Sequence, residues 1–407
     1  MKDNSMKIGL GNFLKRIRPR MLRHLEEDIL PYWLLPTMLG DPIGCFPTYA
    51  NQSGIPDNSM PRYARMHGRQ TYAYLAGYYM LGQNDLLNYG LAGLEVLKKY
   101  ENPRGGYFAQ ATSEYEIIET PISIQDQCYS VFPYIMAYRV TKNKEYLMRV
   151  WKFVEFIDHG PYLRTDGSYR DSLMPDLETE ARFETPTLNL VSVIDFMNLI
   201  LIPLLCITPY AEITNARKDM LVKWVDLLVH DFWSKGIFWN DKHNRSDWQA
   251  KHVDLGHTSK AYGILLKANK LFVEWGIPER HCEIVDQYPT IVRAASEKTV
   301  GWLTDFDVSA TTFRRLNLQW WRHIMVNQTV FHYASSFEDL IPLLENGIDT
   351  WFECEYVDRT RSCRGVREGL HCDGTMISND ESLACKANCW KNAYHEVEHV
   401  LTFCEEE

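Results

Sequence analysis

A glycine followed within two residues by an aromatic side chain recurs along this sequence, as Gly44-Cys-Phe46, Gly106-Tyr107, Gly167-Ser-Tyr169, Gly236-Ile-Phe238 and Gly301-Trp302. A weaker sixth is Gly369-Leu-His371, and successive glycines stand 62, 61, 69, 65 and 68 residues apart. A period of about 65 residues holds two helices of roughly 15 to 20 residues and two loops. Six such helical hairpins use up the chain. They can stack as an open solenoid or close into a ring, and a ring of six gives an all-α (α/α)6 barrel with the glycine-aromatic loops at one end. Loops on a rigid scaffold commonly carry function. Length alone suggests two or three domains for 407 residues. The repeat replaces them with a single domain spanning 1–407.

Helical periodicity supports this. In residues 145–157 the apolar set Leu147, Trp151, Val154 and Ile157 follows one helix face, and Leu221, Trp224, Leu228 and Phe232 repeat the pattern. Residues 62–81 read as one long helix, and alternating strand patterns of useful length are hard to find. Residues 1–23 form a basic N-terminal helix with Leu10, Phe13, Ile17 and Leu22 on its apolar side, expected to be solvated. Residues 405–407 are an acidic tail. The most apolar stretch, Leu190–Ile207, approaches bilayer-spanning length, but Asp195, Asn198 and Pro203 make it a buried helix.

A net charge of −10 argues against a broad nucleic-acid surface, and no membrane partner is expected. The first residues lack the apolar core of a signal peptide, so the expected location is cytoplasmic, with the ten cysteines as reduced thiols. A homodimer is compatible with the chain.

Imidazole titrates near neutrality, so the 13 histidines are the first candidates for chemistry. His257 stands in Asp254-Leu-Gly-His-Thr-Ser-Lys260, on the turn into a helix. His395 and His399 lie four apart and share a helix face. His395-Glu-Val-Glu-His399 matches the zinc motif H-E-x-x-H, but only residues 400–407 follow to supply a third ligand, so no metal is expected. Cys372, Cys385 and Cys389 lack the paired short spacings of strong zinc sites. Asp305 and Asp307 are paired acids of the kind glycosidases use. No nucleophile elbow, phosphate loop or dinucleotide fingerprint is present.

Taken in order, Ile29-Leu-Pro-Tyr-Trp33, Gly44 ahead of Phe46, Gly68-Arg-Gln70, Gly105-Gly-Tyr-Phe108, Gly256-His-Thr258 and Tyr394-His395 span nearly the whole chain. In this pattern the chain resembles the N-acylglucosamine 2-epimerase superfamily, which includes cellobiose 2-epimerases and mannose isomerases. The resemblance implies an (α/α)6 barrel acting on a reducing sugar without metal or organic cofactor. It implies His257 and His395 as the acid/base pair and Arg69 as a ligand of substrate oxygens. Trp390, beside His395, is the aromatic picked as a sugar contact from among Tyr63, Tyr72, Trp320, Trp321 and Trp390.

The chain departs from the family in three places. Lys260 stands three residues after His257 where the family has Glu, and Glu398 three after His395 where it has Arg. The two changes are complementary in sign, so Lys260 and Glu398 are expected to form an ion pair at the site. A third family histidine has no counterpart in residues 188–196, and His399, His252 and His323 are the available stand-ins, with His399 preferred. The leading expectation is a sugar epimerase or isomerase. The alternatives are a sugar-binding protein that has lost catalysis, and a glycoside hydrolase using Asp305 and Asp307.

Overall fold

A computed structural model describes residues 2–181, 188–240, 253–296, 301–307, 312–314, 317–377 and 385–405. His252, the side chain of Asp307, and Glu406 and Glu407 lie outside the described residues. Helices dominate, and every described strand is two or three residues long. The chain gathers into two compact units. One comprises Met1–Tyr32, Leu228–Lys386 and His395–Glu407, and the other Trp33–Leu227 and Ala387–Tyr394.

Five of the six glycine marks have a left-handed backbone: φ is 102° at Gly44, 67° at Gly106, 86° at Gly167, 83° at Gly236 and 71° at Gly301. A residue without Cβ adopts this region at little cost. The rings that follow (Phe46, Tyr107, Tyr169, Phe238 and Trp302) are all buried. Each mark is thus a turn that returns an aromatic plug to the core. Three share one register: Phe108 N–H donates to Tyr100 O, Arg170 N–H to Tyr162 O, and Leu303 N–H to Ala295 O.

The sixth mark is displaced. Gly369 lies in the strand Gly369–Leu370, and the matching turn is at Gly374, with φ of 88° and Met376 bridging Leu370. That turn repeats the one at Gly167 in detail. Asp166 Oδ1 accepts from the Ser168 N–H and hydroxyl, and Asp373 Oδ1 does the same for Thr375. Methionine occupies the ring's position, so a search for aromatics passes over it.

In the second unit the helix Ala64–Leu81 ends at Gly82, in the left-handed region, and turns back into Asn84–Leu97. A capping box between Ser123 and Asp126 starts the helix Ile124–Val131. Leu190–Ile207 is helical throughout, with a π-helical middle at Phe196–Leu201, and 72% of it is buried. Its Asp195 accepts from Gln125 at 2.8 Å and Tyr129 at 3.5 Å, which lets a carboxylate sit in the core.

In the first unit the helix Lys2–His24 buries Phe13, Ile17 and Met21. Part of its exposed basic face is paired within the unit. Arg16 pairs with Glu345, Arg20 with Asp349 at 2.7 Å, and Arg18 donates to the carbonyls of Phe403 at 2.9 Å and Glu405 at 3.1 Å. Three further helices lie side by side, tied by a bond from Thr329 Oγ1 to Ser259 O at 3.0 Å and one from Gln328 Nε2 to Glu398 O at 3.2 Å. They are Leu255–Glu274, Trp320–Ala334 and Tyr394–Cys404. All ten cysteines are thiols.

Candidate active site

In the first unit the chain enters the Leu255–Glu274 helix along a short extended segment. Leu255 N–H donates to Thr304 O at 2.8 Å and Phe306 N–H to Val253 O at 3.3 Å, which sets Asp254 opposite Asp305. Asp254 is the helix N-cap: its Oδ1 accepts the His257 N–H at 2.8 Å. Its Oδ2 lies 2.7 Å from His257 Nδ1. Asp254 is buried, whereas 23% of the His257 side chain is accessible. Burial alone would raise the Asp254 pKa. The charge and hydrogen bonds of His257, with the Arg322 charge, outweigh that and hold it at about 2.

Arg322 pairs with Asp305 at 2.5 Å, and its guanidinium lies 5.3 Å from the Trp321 ring centre. Trp321 in turn lies against His257, with ring centres 4.6 Å apart. Gly256 suits this crowding: a Cβ there would stand 3.0 Å from Arg322 Cα, Asp254 Oδ1 and the Trp321 ring, a tight approach.

His395 is 8% exposed and meets the edge of Trp320, with ring centres 5.9 Å apart and planes at 77°. Trp320 and Trp321 are consecutive residues at the start of one helix. They therefore set one indole against each of the two histidines singled out from the sequence. Lys260, one turn beyond His257, is 7% exposed, and Glu398, one turn beyond His395, is half-buried.

The second unit holds Arg69, 4% exposed. Its guanidinium stacks on Tyr129 at 3.8 Å, Nη1 donates to Trp390 O at 2.8 Å, and Nε is buried with no partner among the described residues. Gly68 allows the stack, since a Cβ there would fall 1.9 Å from Tyr129 O. One turn back, Arg65 pairs with Asp126 at 2.9 Å and donates to Cys389 O at 3.1 Å. It is layered between Tyr63 at 4.7 Å and Trp390 at 3.8 Å. Trp390 is thus an exposed indole, 49% accessible, on a cationic backing. Tyr72 is core, stacked on Phe132.

His399 lies in the core: it is 0% exposed, packed against Trp351 and Phe403, with Nε2 at 3.3 Å from Asn327 Nδ2. Burial pushes its pKa well below the usual imidazole value. His323 is equally enclosed, its Nε2 bonded to Gly347 O at 2.7 Å. Asp305 forms an ion pair with Arg322. Among the described residues no cluster of three or more His, Cys, Asp or Glu side chains is placed to hold a metal ion. Asp254 and Arg322 as neighbours of His257, and Arg65 as a neighbour of Arg69, went unnoticed in the sequence. An Asp three residues before His257 was the available signal, since that is N-cap spacing.

Neither a protein-family model nor a curated protein sequence matches the chain. Solved structures do. The cellobiose 2-epimerase from Bacillus thermoamylovorans superposes with a TM-score of 0.81 at 16% identity, covering 96% of this chain and 99% of its own. The chain has the cellobiose 2-epimerase fold. A D-mannose isomerase follows at a TM-score of 0.74 and 13% identity, with 97% of each chain covered. An α-1,6-mannanase from Salegentibacter is more distant, at 0.52 and 12%, covering 97% of this chain and 98% of its own. The epimerase fold is the (α/α)6 class that the glycine repeat predicts.

Proposed function

We propose that the chain is a divergent N-acylglucosamine 2-epimerase superfamily enzyme, an epimerase or aldose–ketose isomerase of a reducing sugar. The observation that carries this is the placement of His257 and His395 on the consecutive indoles Trp321 and Trp320. The shared fold with a cellobiose 2-epimerase and a D-mannose isomerase supports it.

The hydrogen on the carbon beside a sugar carbonyl is weakly acidic, and a positioned imidazole removes it at neutral pH. The enediolate that forms carries negative charge on oxygen. Arg69 is assigned to hold substrate oxygens, with a guanidinium fixed by Tyr129 and a buried Nε still able to donate. The second histidine returns a proton. Delivery to the opposite face of the same carbon inverts it; delivery to the neighbouring carbon exchanges aldose and ketose. Trp390 and Trp321 offer rings for the apolar face of a sugar. Lys260 and Glu398 are assigned as an ion pair beside the two histidines.

The test is NMR of a panel of reducing aldoses and ketoses incubated with the protein in deuterated water. Deuterium enters at C2 with the wild type, and His257→Asn and His395→Asn slow it by about 10²- to 10⁴-fold, the usual contribution of general acid–base catalysis. No exchange with any sugar sinks the proposal.

A further inference from the structure

The Asp254 carboxylate satisfies two groups at once. One oxygen takes a backbone N–H at the helix start, as any good N-cap does. The other reaches the imidazole of His257 at 2.7 Å. An N-cap needs only the first of these contacts. We propose that Asp254 is the positioning carboxylate of His257, fixing the neutral ring with its hydrogen on Nδ1 and leaving the Nε2 lone pair to take the substrate proton. The role rests on the epimerase reading above, while the tautomer itself does not.

The chemistry is one of acceptors and donors. An ionised carboxylate can only accept, so the nitrogen facing it must carry the hydrogen. Asp254 remains ionised, because the hydrogen bonds from His257 and the Arg322 charge favour its carboxylate. With Nδ1–H committed, the neutral ring has its lone pair on Nε2. When Nε2 takes the C2 proton of a sugar, the C–H electron pair stays with the carbon and delocalises onto the carbonyl oxygen. The imidazolium is then doubly protonated, with Nδ1–H still bonded to Asp254. Asp254 keeps its charge and stabilises that cation.

The surroundings support this geometry. Arg322 supplies positive charge to Asp254 and is itself pinned to Asp305 at 2.5 Å. Trp321 covers one face of the imidazole. The absence of a side chain at Gly256 lets Asp254, Trp321 and Arg322 close in together. This accounts for a glycine directly before the histidine, and it gives Asp305 a supporting role.

Asp254→Asn separates capping from positioning. Asparagine is as good an N-cap as aspartate, so the start of the helix is kept. Its amide then caps with oxygen and turns an NH₂ toward Nδ1, which drives the ring to the Nε2–H tautomer. Two measurements decide. In ¹⁵N–¹H correlation spectra, with His257→Asn used to assign the signal, the wild-type ring is Nδ1–H and the Asp254→Asn ring Nε2–H. In the deuterium-exchange assay kcat falls by about 10²- to 10⁴-fold while KM moves by less than about threefold, and Asp254→Glu recovers part of the loss. An Nε2–H ring in the wild type, or Asp254→Asn within about threefold of wild-type kcat, overturns the proposal. A wild type with no exchange sinks the epimerase reading instead, and the tautomer spectra alone then decide what Asp254 does.

Discussion

Replacing Gly68 by alanine tests how the Arg69 region is built. Gly68 lies inside the helix Ala64–Leu81, where alanine is ordinarily favoured over glycine by about 1 kcal/mol. The new Cβ, however, would stand 1.9 Å from the carbonyl oxygen of Tyr129, 3.0 Å from its carbonyl carbon and 3.3 Å from Ser130 Cα. These are backbone atoms, which no rotamer change can clear. The helices 64–81 and 124–131 must separate by more than an ångström, or the backbone must distort. Overpacking of this kind costs about 1–3 kcal/mol, occasionally more, and a backbone neighbour places it at the upper end. After the propensity gain, a net loss of about 2 kcal/mol is expected. The same shift disturbs Arg69, whose guanidinium rests 3.8 Å from the Tyr129 ring. Urea denaturation at constant m-value reads the stability loss, and the deuterium-exchange assay reads the effect on Arg69. Gly77→Ala is the control: on the same helix, it meets only the end of the Leu86 side chain at 3.2 Å, and should be neutral or stabilising. Gly68→Ala as stable as Gly77→Ala would refute the close approach and the reasoning built on it.

Two other outcomes are expected. Lys260→Glu should harm stability and turnover more than Lys260→Glu with Glu398→Lys, with a coupling of about 0.5–3 kcal/mol in a double-mutant cycle; additive effects would remove the ion pair. Stability should also fall in mild acid. Burial, with the Arg62 and Lys99 charges, lowers the His67 pKa to about 3, and burial also depresses His399. The unfolded chain takes these protons from about pH 6.5 downward while the folded one refuses them. Stability is therefore full above pH 6.5 and lost as pH falls toward 3, by up to about 1.4 kcal/mol per pH unit for each such histidine. A urea midpoint constant from pH 7 to pH 4.5 would contradict this.

The turns were the most legible part of the fold, because a glycine at positive φ and a buried ring leave a mark that does not depend on distant residues. Helices such as Lys144–Asp158 and Asn215–Phe232 followed from spacing for the same reason. The site was legible only in part. Spacing placed His395 and His399 on one helix face, but the fate of each depends on which neighbour packs there. His399 meets Trp351 and Asn327, and His395 meets Trp320. Arg322 and Trp321 reach His257 from more than sixty positions away, which no local pattern reports. Asp254 was within reach of sequence reasoning as a cap. Its second bond, to the imidazole, needed the rotamers of both side chains.

The shared register of the turns at Gly106, Gly167 and Gly301 has a consequence for how such a chain can drift. Each hairpin is closed by its own main-chain bonds and needs only a glycine and one plug. Everything between two plugs is answerable to volume and polarity rather than to identity. A lineage built this way can exchange most of its letters while its skeleton stays put, so resemblance by letter fades long before resemblance by shape. At 16% identity and nearly full coverage of a known epimerase, this chain sits in that regime.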